Sequence, residues 1–174
     1  ALDRLGLRAR TIVAFIGDHG YHLGEKGKWS KHQSLFDTGL RVPLLIQAPG
    51  ARANGKPCGR IVQALDLYPT LAELAGLPSV AGLHGHSLTP LLADPGAAWE
   101  HPAFSVAGSR AQPKLAVRTD RWRYAEFPGA EGGAMLLDEQ ADPHETKNLA
   151  ADPAHAGTVK AMRELLKSAF PAKQ

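Results

Sequence analysis

One cysteine, Cys58, stands in a chain of 174 residues. A lone thiol closes no intrachain disulfide and builds no thiolate metal cluster, which excludes a disulfide-framed fold and leaves the redox compartment open. Long apolar runs are missing as well. Nothing approaches the ~20 residues needed to cross a bilayer, so no membrane span is expected. No secretory pattern is visible, because the first ten residues, ALDRLGLRAR, alternate charged and apolar positions. The chain opens on Ala1 and not on Met, in what reads as the tail of an amphipathic helix over residues 2–8. A truncated or processed chain is therefore expected, and its localisation stays unknown. Basic residues never gather into a run, and no helix-turn-helix, zinc-finger or RNA-motif pattern occurs, which argues against nucleic acid as a partner.

What is present is ordinary for a soluble globular protein: 44% apolar and 21% charged residues. A chain of this length can bury roughly 70% of its unfolded surface. The net charge of +3 is unevenly spread, with ten Lys/Arg against four Asp/Glu in residues 1–60 and ten against thirteen after them. A basic first third suits an anionic substrate, a solvated face, or a surface meant for an acidic segment elsewhere.

Residues 11–50 carry the chemistry. The β-branched run 11–16 reads as a buried strand, and Gly17-Asp18-His19-Gly20 follows it at once. A strand ending in a glycine-flanked acid and imidazole is how α/β enzymes set polar groups at the carboxyl edge of a sheet. Asp18 and His19 offer one hard oxygen and one nitrogen, the donor types of a divalent-metal site. A glycine-interrupted loop with Trp29, Lys31 and His32 leads to a second strand at 44–48, with Pro43 at its start.

Beyond this point the spacing predicts a helix capped by Asp66, with Pro69 in its first turn and Gly76 closing it. A second short helix is expected over 87–93. Strands are expected at 101–106 and 115–119, then over Trp122 to Phe127, and again at 135–138, with turns at Asp120-Arg121 and 128–133. Together they make an antiparallel meander. An amphipathic helix over 153–169 turns Val159, Met162, Leu165, Leu166 and Phe170 toward that sheet. The fold class is α/β: residues 1–78 as the end of a large α/β sheet domain, 79–100 as a connection, and 101–174 as a small antiparallel β plus C-terminal helix domain.

Several ordered segments resemble the sulfatases, a branch of the alkaline-phosphatase-like superfamily, and within them the iduronate-sulfatase and choline-sulfatase group. They are Gly17-Asp18-His19-Gly20, Leu23-Gly24-Glu25-Lys26-Gly27, Trp29-Ser30-Lys31 and Arg41-Val42-Pro43. Asp66-Leu67-Tyr68-Pro69-Thr70, Leu83-His84-Gly85-His86-Ser87-Leu88, Val117-Arg118-Thr119-Asp120-Arg121-Trp122 and Asp142-Pro143-His144-Glu145-Thr146-Lys147-Asn148-Leu149 continue the likeness. The resemblance implies a sulfuric ester hydrolase. In such enzymes a Cys or Ser in a Cys/Ser-x-Pro/Ala-x-Arg motif becomes formylglycine, whose hydrate attacks the ester. A Ca2+ or Mg2+ ion is held by early acids and by a later acid with Asn or His. That later pair falls on Asp18 and His19, and Lys31 matches the lysine that contacts the sulfate. The nucleophile motif itself is lacking, since Cys58-Gly59-Arg60-Ile61 does not fit it, and so are the early acids. The expected protein is thus a C-terminal portion, inactive alone, whose partners are the missing N-terminal segment and a sulfated small molecule or sugar. Oligomerisation through exposed strand edges is also expected. A phosphonate monoester or phosphodiester hydrolase of the same superfamily, and a non-catalytic binding module, are the alternative readings.

Each site residue also has a plainer role open to it. Asp18 suits a glycine turn and His19 a structural hydrogen bond. Lys31 on a loop suits solvent. His22 and His32 are substrate-contact candidates that equally suit polar surface. Glu25 is expected to pair with Lys26 or Lys28, and Arg41 to anchor the loop through a carboxylate. His84-Gly85-His86 has a chelating spacing but no evident third ligand. Trp122 and Tyr124 read as core, and 142–148 as a capped structural turn.

Overall fold

The computed structural model describes residues 1–129 and 132–170. The chain divides into two compact units, Ala1–Asp18 with Val42–His101, and His19–Arg41 with Pro102–Gln174. Helix and sheet are mixed as expected, with one two-stranded and one four-stranded sheet. Among the described residues no helix is long and apolar enough to cross a membrane.

In the first unit β1 (Val13–Ile16) pairs antiparallel with β2 (Leu44–Gln47), Phe15 opposite Leu45 and Ile16 opposite Leu44. Side chains alternate along a strand, so this ribbon has two faces. Leu44 and Ile46 pack on Leu88, Leu91 and Trp99, around α3 (Thr89–Ala93). On the other face Phe15 and Leu45 are 59% and 61% exposed. The first strand was expected to be buried, and it is exposed along its whole length. The covering cluster seats on β2 and leaves β1 outside it. The helix expected over residues 2–8 is instead a turn at 2–6 followed by a 3-10 turn at Arg8–Arg10, because Gly6 at φ 66° breaks the helical path.

Helix α2 (Leu67–Leu74) ends as expected on Gly76 at φ 69°, whose N–H donates to the Glu73 carbonyl. Asp66 occupies the N-cap position without capping any helix N–H through its side chain. Its buried carboxylate instead accepts the N–H groups of Gln63 and His86, each at 2.9 Å. The Thr70 hydroxyl, also buried, donates to the Asp66 carbonyl and accepts the Leu88 N–H at 2.8 Å. Two buried polar side chains thus fasten residues 86–88 beside the start of α2.

The second unit is built on β3 (Ala103–Gly108), β4 (Pro113–Arg118), β5 (Trp122–Glu126) and β6 (Ala134–Asp138), an antiparallel meander in chain order. Residues 130 and 131 of the expected turn lie outside the described residues. The register sets Val117 opposite Tyr124 and Tyr124 opposite Leu136, all three fully buried. This face takes Met162 and Leu166 of α4 (Ala156–Ala169). Asp152 starts the helical stretch by accepting the Ala154 N–H, with Pro153 in the first turn. The opposite face carries Ala116, Ala125, Met135 and Leu137, and it packs on Leu35, Phe36 and Leu40. The sheet is therefore covered on one side by α4 and on the other by the segment His19–Arg41.

Candidate active-site segment

Segment His19–Arg41 has little regular structure, only a 3-10 turn at Glu25–Gly27 and the single-turn α1 (Asp37–Leu40). Specific contacts shape it instead. The Gly20 N–H donates to the Gly39 carbonyl at 3.0 Å. A Cβ at Gly20 would stand 2.0 Å from the Thr38 carbonyl oxygen, so only glycine fits this close approach.

That turn sets the ring of His19. Its Nδ1 lies 2.7 Å from the Gly20 carbonyl, which can only accept, so Nδ1 carries the proton and Nε2 presents its lone pair. Lys31 Nζ lies 2.5 Å from that Nε2 and donates to it. Two candidates twelve positions apart are thus side by side, and both are exposed to solvent. Asp18, at the end of the first unit, is exposed as well. The Gly20 carbonyl fixes the ring through Nδ1, as the orienting partner of a ligating histidine does, while Nε2, the nitrogen a metal would use, faces the Lys31 ammonium. Among the described residues no three His, Cys, Asp or Glu side chains gather as a metal site. Asp18 and His19 supply one oxygen and one nitrogen of the donor types a divalent cation takes, fewer than such a site needs.

The other histidines divide. His32 is exposed, and its backbone N–H meets the Ser30 hydroxyl at 3.3 Å. His22 has no exposed surface: Nε2 is 2.6 Å from the Ser34 hydroxyl, and the ring meets Phe36 edge-on at 6.4 Å. Its Nδ1 is buried without a hydrogen-bond partner. Enclosed in this way, His22 packs inside the loop and has no exposed surface to offer a substrate. His86 stacks on His101 at 3.7 Å with Trp99 edge-on to both rings, an aromatic cluster in place of a chelate. The Glu25 carboxylate accepts the Leu23 N–H at 2.6 Å, which holds it below the usual carboxylate range. Lys26, one of its expected partners, points elsewhere, its ammonium donating to the carbonyls of His144 and Glu145 at 2.6 and 2.5 Å. Arg41 lies 3.7 Å from Asp37, exposed to solvent.

Behind the loop is an ionic cluster that sequence reasoning passes over. Arg123 of β5, 3% exposed, meets Asp37 at 2.7 Å, Glu139 at 2.6 Å and Glu145 at 2.8 Å. Arg118 of β4 adds a contact to Glu139 at 3.4 Å. Glu145 also accepts the Asp37 N–H with both carboxylate oxygens, at 3.1 and 3.0 Å. Burial pushes the Glu145 carboxyl up to about 7, against the pull of Arg123 and of the Asp37 N–H. The stretch 142–148 does form the expected capped turn, with Asp142 accepting the N–H groups of Thr146 and Lys147, which holds its carboxyl low. It does more than cap, since Glu145 reaches out of it to the loop. The available signal was Arg123 itself: an arginine at an inward position of an alternating strand requires acidic partners.

The match to known proteins is consistent along the chain. Residues 24–171 fit the family model described as N-sulphoglucosamine sulphohydrolase, C-terminal. Arylsulfatase K of Gallus gallus is 31% identical over 97% of this chain and 32% of its own length. The Delta 4,5-hexuronate-2-O-sulfatase of Bacteroides thetaiotaomicron is 34% identical over 90% of this chain and 34% of its own. Among solved structures, a protein in complex with its substrate D-glucosamine-2-N,6-O-disulfate superposes with a TM-score of 0.80 at 26% identity, covering 97% of this chain and 35% of that one. A phosphonate monoester hydrolase from Silicibacter pomeroyi gives 0.83, also at 26% identity, covering 97% and 36%. The four-stranded sheet with its terminal helix is the C-terminal subdomain of this class of hydrolases. The chain belongs to the sulfatase family and corresponds to its C-terminal region. It spans about a third of the length of the curated relatives it matches.

Proposed function

We propose that this chain is the C-terminal part of a sulfuric ester hydrolase acting on a sulfated small molecule or sugar. The observation that carries the reading is the Lys31–His19 contact at 2.5 Å, an ammonium and an imidazole presented together on an exposed turn. The ammonium suits a sulfate group and can offset charge on the departing oxygen. Asp18 and His19 are the residues that would hold Ca2+ or Mg2+. When bound, such an ion polarises sulfate oxygens as a Lewis acid. His32 is exposed and can reach substrate directly, while His22 contributes by fixing the loop. No residue of this chain fits the nucleophile motif, so we assign the formylglycine to a segment outside these 174 residues. Sequence 1–78 is then the end of the large α/β domain, 79–100 the connection, and 101–174 the small C-terminal domain. The exposed apolar face of Phe15 and Leu45 is where that outside segment docks. The chain alone is inactive on this reading.

The likeness to a phosphonate monoester hydrolase supports a second reading with the same metal and lysine roles. The longer protein, assayed with p-nitrophenyl sulfate and with a phenyl phosphonate monoester, separates the two. Faster sulfate turnover that falls about 100-fold or more in Lys31→Ala supports the sulfatase. Faster phosphonate turnover, or a Lys31→Ala protein as active as its parent, overturns it.

A further inference from the structure

Three non-glycine residues among those described adopt left-handed backbone: Lys26 at φ 56°, Gln33 at φ 53° and Glu145 at φ 54°. None is Asn or Asp, the side chains that tolerate this region best. Such strain persists only where surrounding contacts over-determine it. All three lie where segment His19–Arg41 is fastened to the four-stranded sheet. Lys26 donates to the carbonyls of His144 and Glu145. Gln33 accepts from Lys114 of β4 at 2.8 Å. Glu145 grips the Asp37 N–H and the buried Arg123.

The fastening is polar, buried and directed at the loop. The side chains of Arg123 and Glu145 keep only 4% and 2% of their surface exposed, although both are charged types that seldom lie so deep. Sheet packing alone does not call for an arginine there. Its neighbours on that face, Ala116, Ala125, Met135 and Leu137, already form an apolar layer with Leu35. A forked guanidinium can serve several carboxylates at once, and here it joins α1 of the loop, through Asp37, to Glu139 and Glu145. The loop so held is the one whose turn seats His19 and Lys31 together.

We propose that Arg123 and Glu145 are positioning residues: they form a clamp by which the C-terminal sheet fixes the geometry of the His19–Lys31 pair. They touch no substrate, and act through Asp37 and the backbone of the loop. The purpose assigned to the clamp rests on the proposed function, but its existence can be tested without any turnover. Amide hydrogen exchange and the ring nitrogen signals of His19 are followed in the purified chain, in Glu145→Ala and in Lys26→Met. Glu145→Ala removes the oxygens that hold the Asp37 N–H and Arg123. Lys26→Met removes an exposed anchor and leaves the buried cluster whole, so it keeps the test open if Glu145→Ala folds poorly. In both, amides of residues 20–40 should exchange faster, about tenfold in Glu145→Ala and less in Lys26→Met, with β4, β5 and β6 within about twofold of the parent. The His19 ring should also lose its single Nδ1–H form and show a mixture of tautomers. Equal loss of protection in loop and sheet would overturn the clamp, as would an unchanged loop or an unchanged His19 ring. A failure of sulfate turnover in the longer protein would overturn the proposed function and leave this result standing.

Discussion

Leu136 and Leu45 are both mid-strand leucines in antiparallel sheets, yet none of the surface of Leu136 is exposed and 61% of that of Leu45 is. The four-stranded sheet has cover on both faces, α4 on one and the His19–Arg41 segment on the other. The two-stranded ribbon has one cluster, seated on β2, and its remaining face stays apolar and open. Polar burial differs in kind as well. The ribbon's unit buries Asp66 and Thr70, whose side chains bond backbone groups of the same unit. The sheet's unit buries a charged network whose carboxylates outnumber its guanidiniums. One unit covers its sheet on both faces, and the other leaves an apolar face exposed.

The sharpest way to break this contrast is to delete the same atoms from both units. Leu136→Ala leaves a cavity in a closed core and should cost about 2–5 kcal/mol of unfolding free energy, measured by urea denaturation. Leu45→Ala removes side-chain atoms already in water and should stay within about 0.5 kcal/mol of the parent. A large loss at Leu45 would mean that the open face is covered in solution.

A smaller effect is expected from acid and base, and it is confined to the sheet's unit. The Glu145 carboxyl is raised from 4.5 to about 7 by burial, with Glu139 and Asp37 adding repulsion and Arg123 and the Asp37 N–H opposing. Arg118 and the carbonyl-bound Lys26 complete the charged groups around it. A proton on Glu145 leaves two carboxylates facing two guanidiniums. The folded chain holds this proton more tightly than the unfolded chain does. Its contribution is therefore complete below pH ~4.5 and is lost as the pH rises to ~7. Solvent and the competing ion pairs reduce the effect to roughly 1–2 kcal/mol. Denaturation midpoints taken across that window should fall as pH rises, and Glu145→Gln should flatten the slope. Asp138 and Asp142 are held low by Arg121 and by backbone N–H groups, so their contributions vanish only in the more acidic range. A midpoint that climbs between pH 5 and 7 would contradict the assignment.

The legible parts of this fold were those set by local pattern. The meander, the α2 stop at Gly76 and the terminal helix follow from alternation, glycine and amphipathic spacing, and each stands within a few residues of where the sequence puts it. Asp18, His19 and Lys31 could be singled out because a motif carries them. What stayed hidden depends on contacts distant in sequence. Glu145 meets Asp37 across 108 positions, and Lys26 meets the Glu145 carbonyl across 119. No local window holds both partners, so the stretch 142–148 reads as a capped turn and Arg123 as one more charge on a strand. Burial of β1 was misread for a related reason. A β-branched run states that a strand prefers an apolar cover, and it does not state that the cover belongs to the same unit.

That last point gives the smallest expected change in stability and a separate test of the ribbon. Phe15 and Leu45 sit directly opposite one another, and Val13 shares their face, so a single continuous apolar strip faces solvent. The edges of a two-stranded ribbon also carry unpaired backbone groups, which invites pairing with a further strand. In sedimentation the purified chain should associate in a concentration-dependent manner. Phe15→Ser and Leu45→Ser should move it toward monomer while shifting the unfolding free energy by no more than about 0.5 kcal/mol. The same serines in the longer protein should be costly instead, because there the strip would be covered by the outside segment and a hydroxyl would be buried without a partner, at about 1–3 kcal/mol. If both chains tolerate the serines equally, the strip is ordinary surface and nothing docks on it.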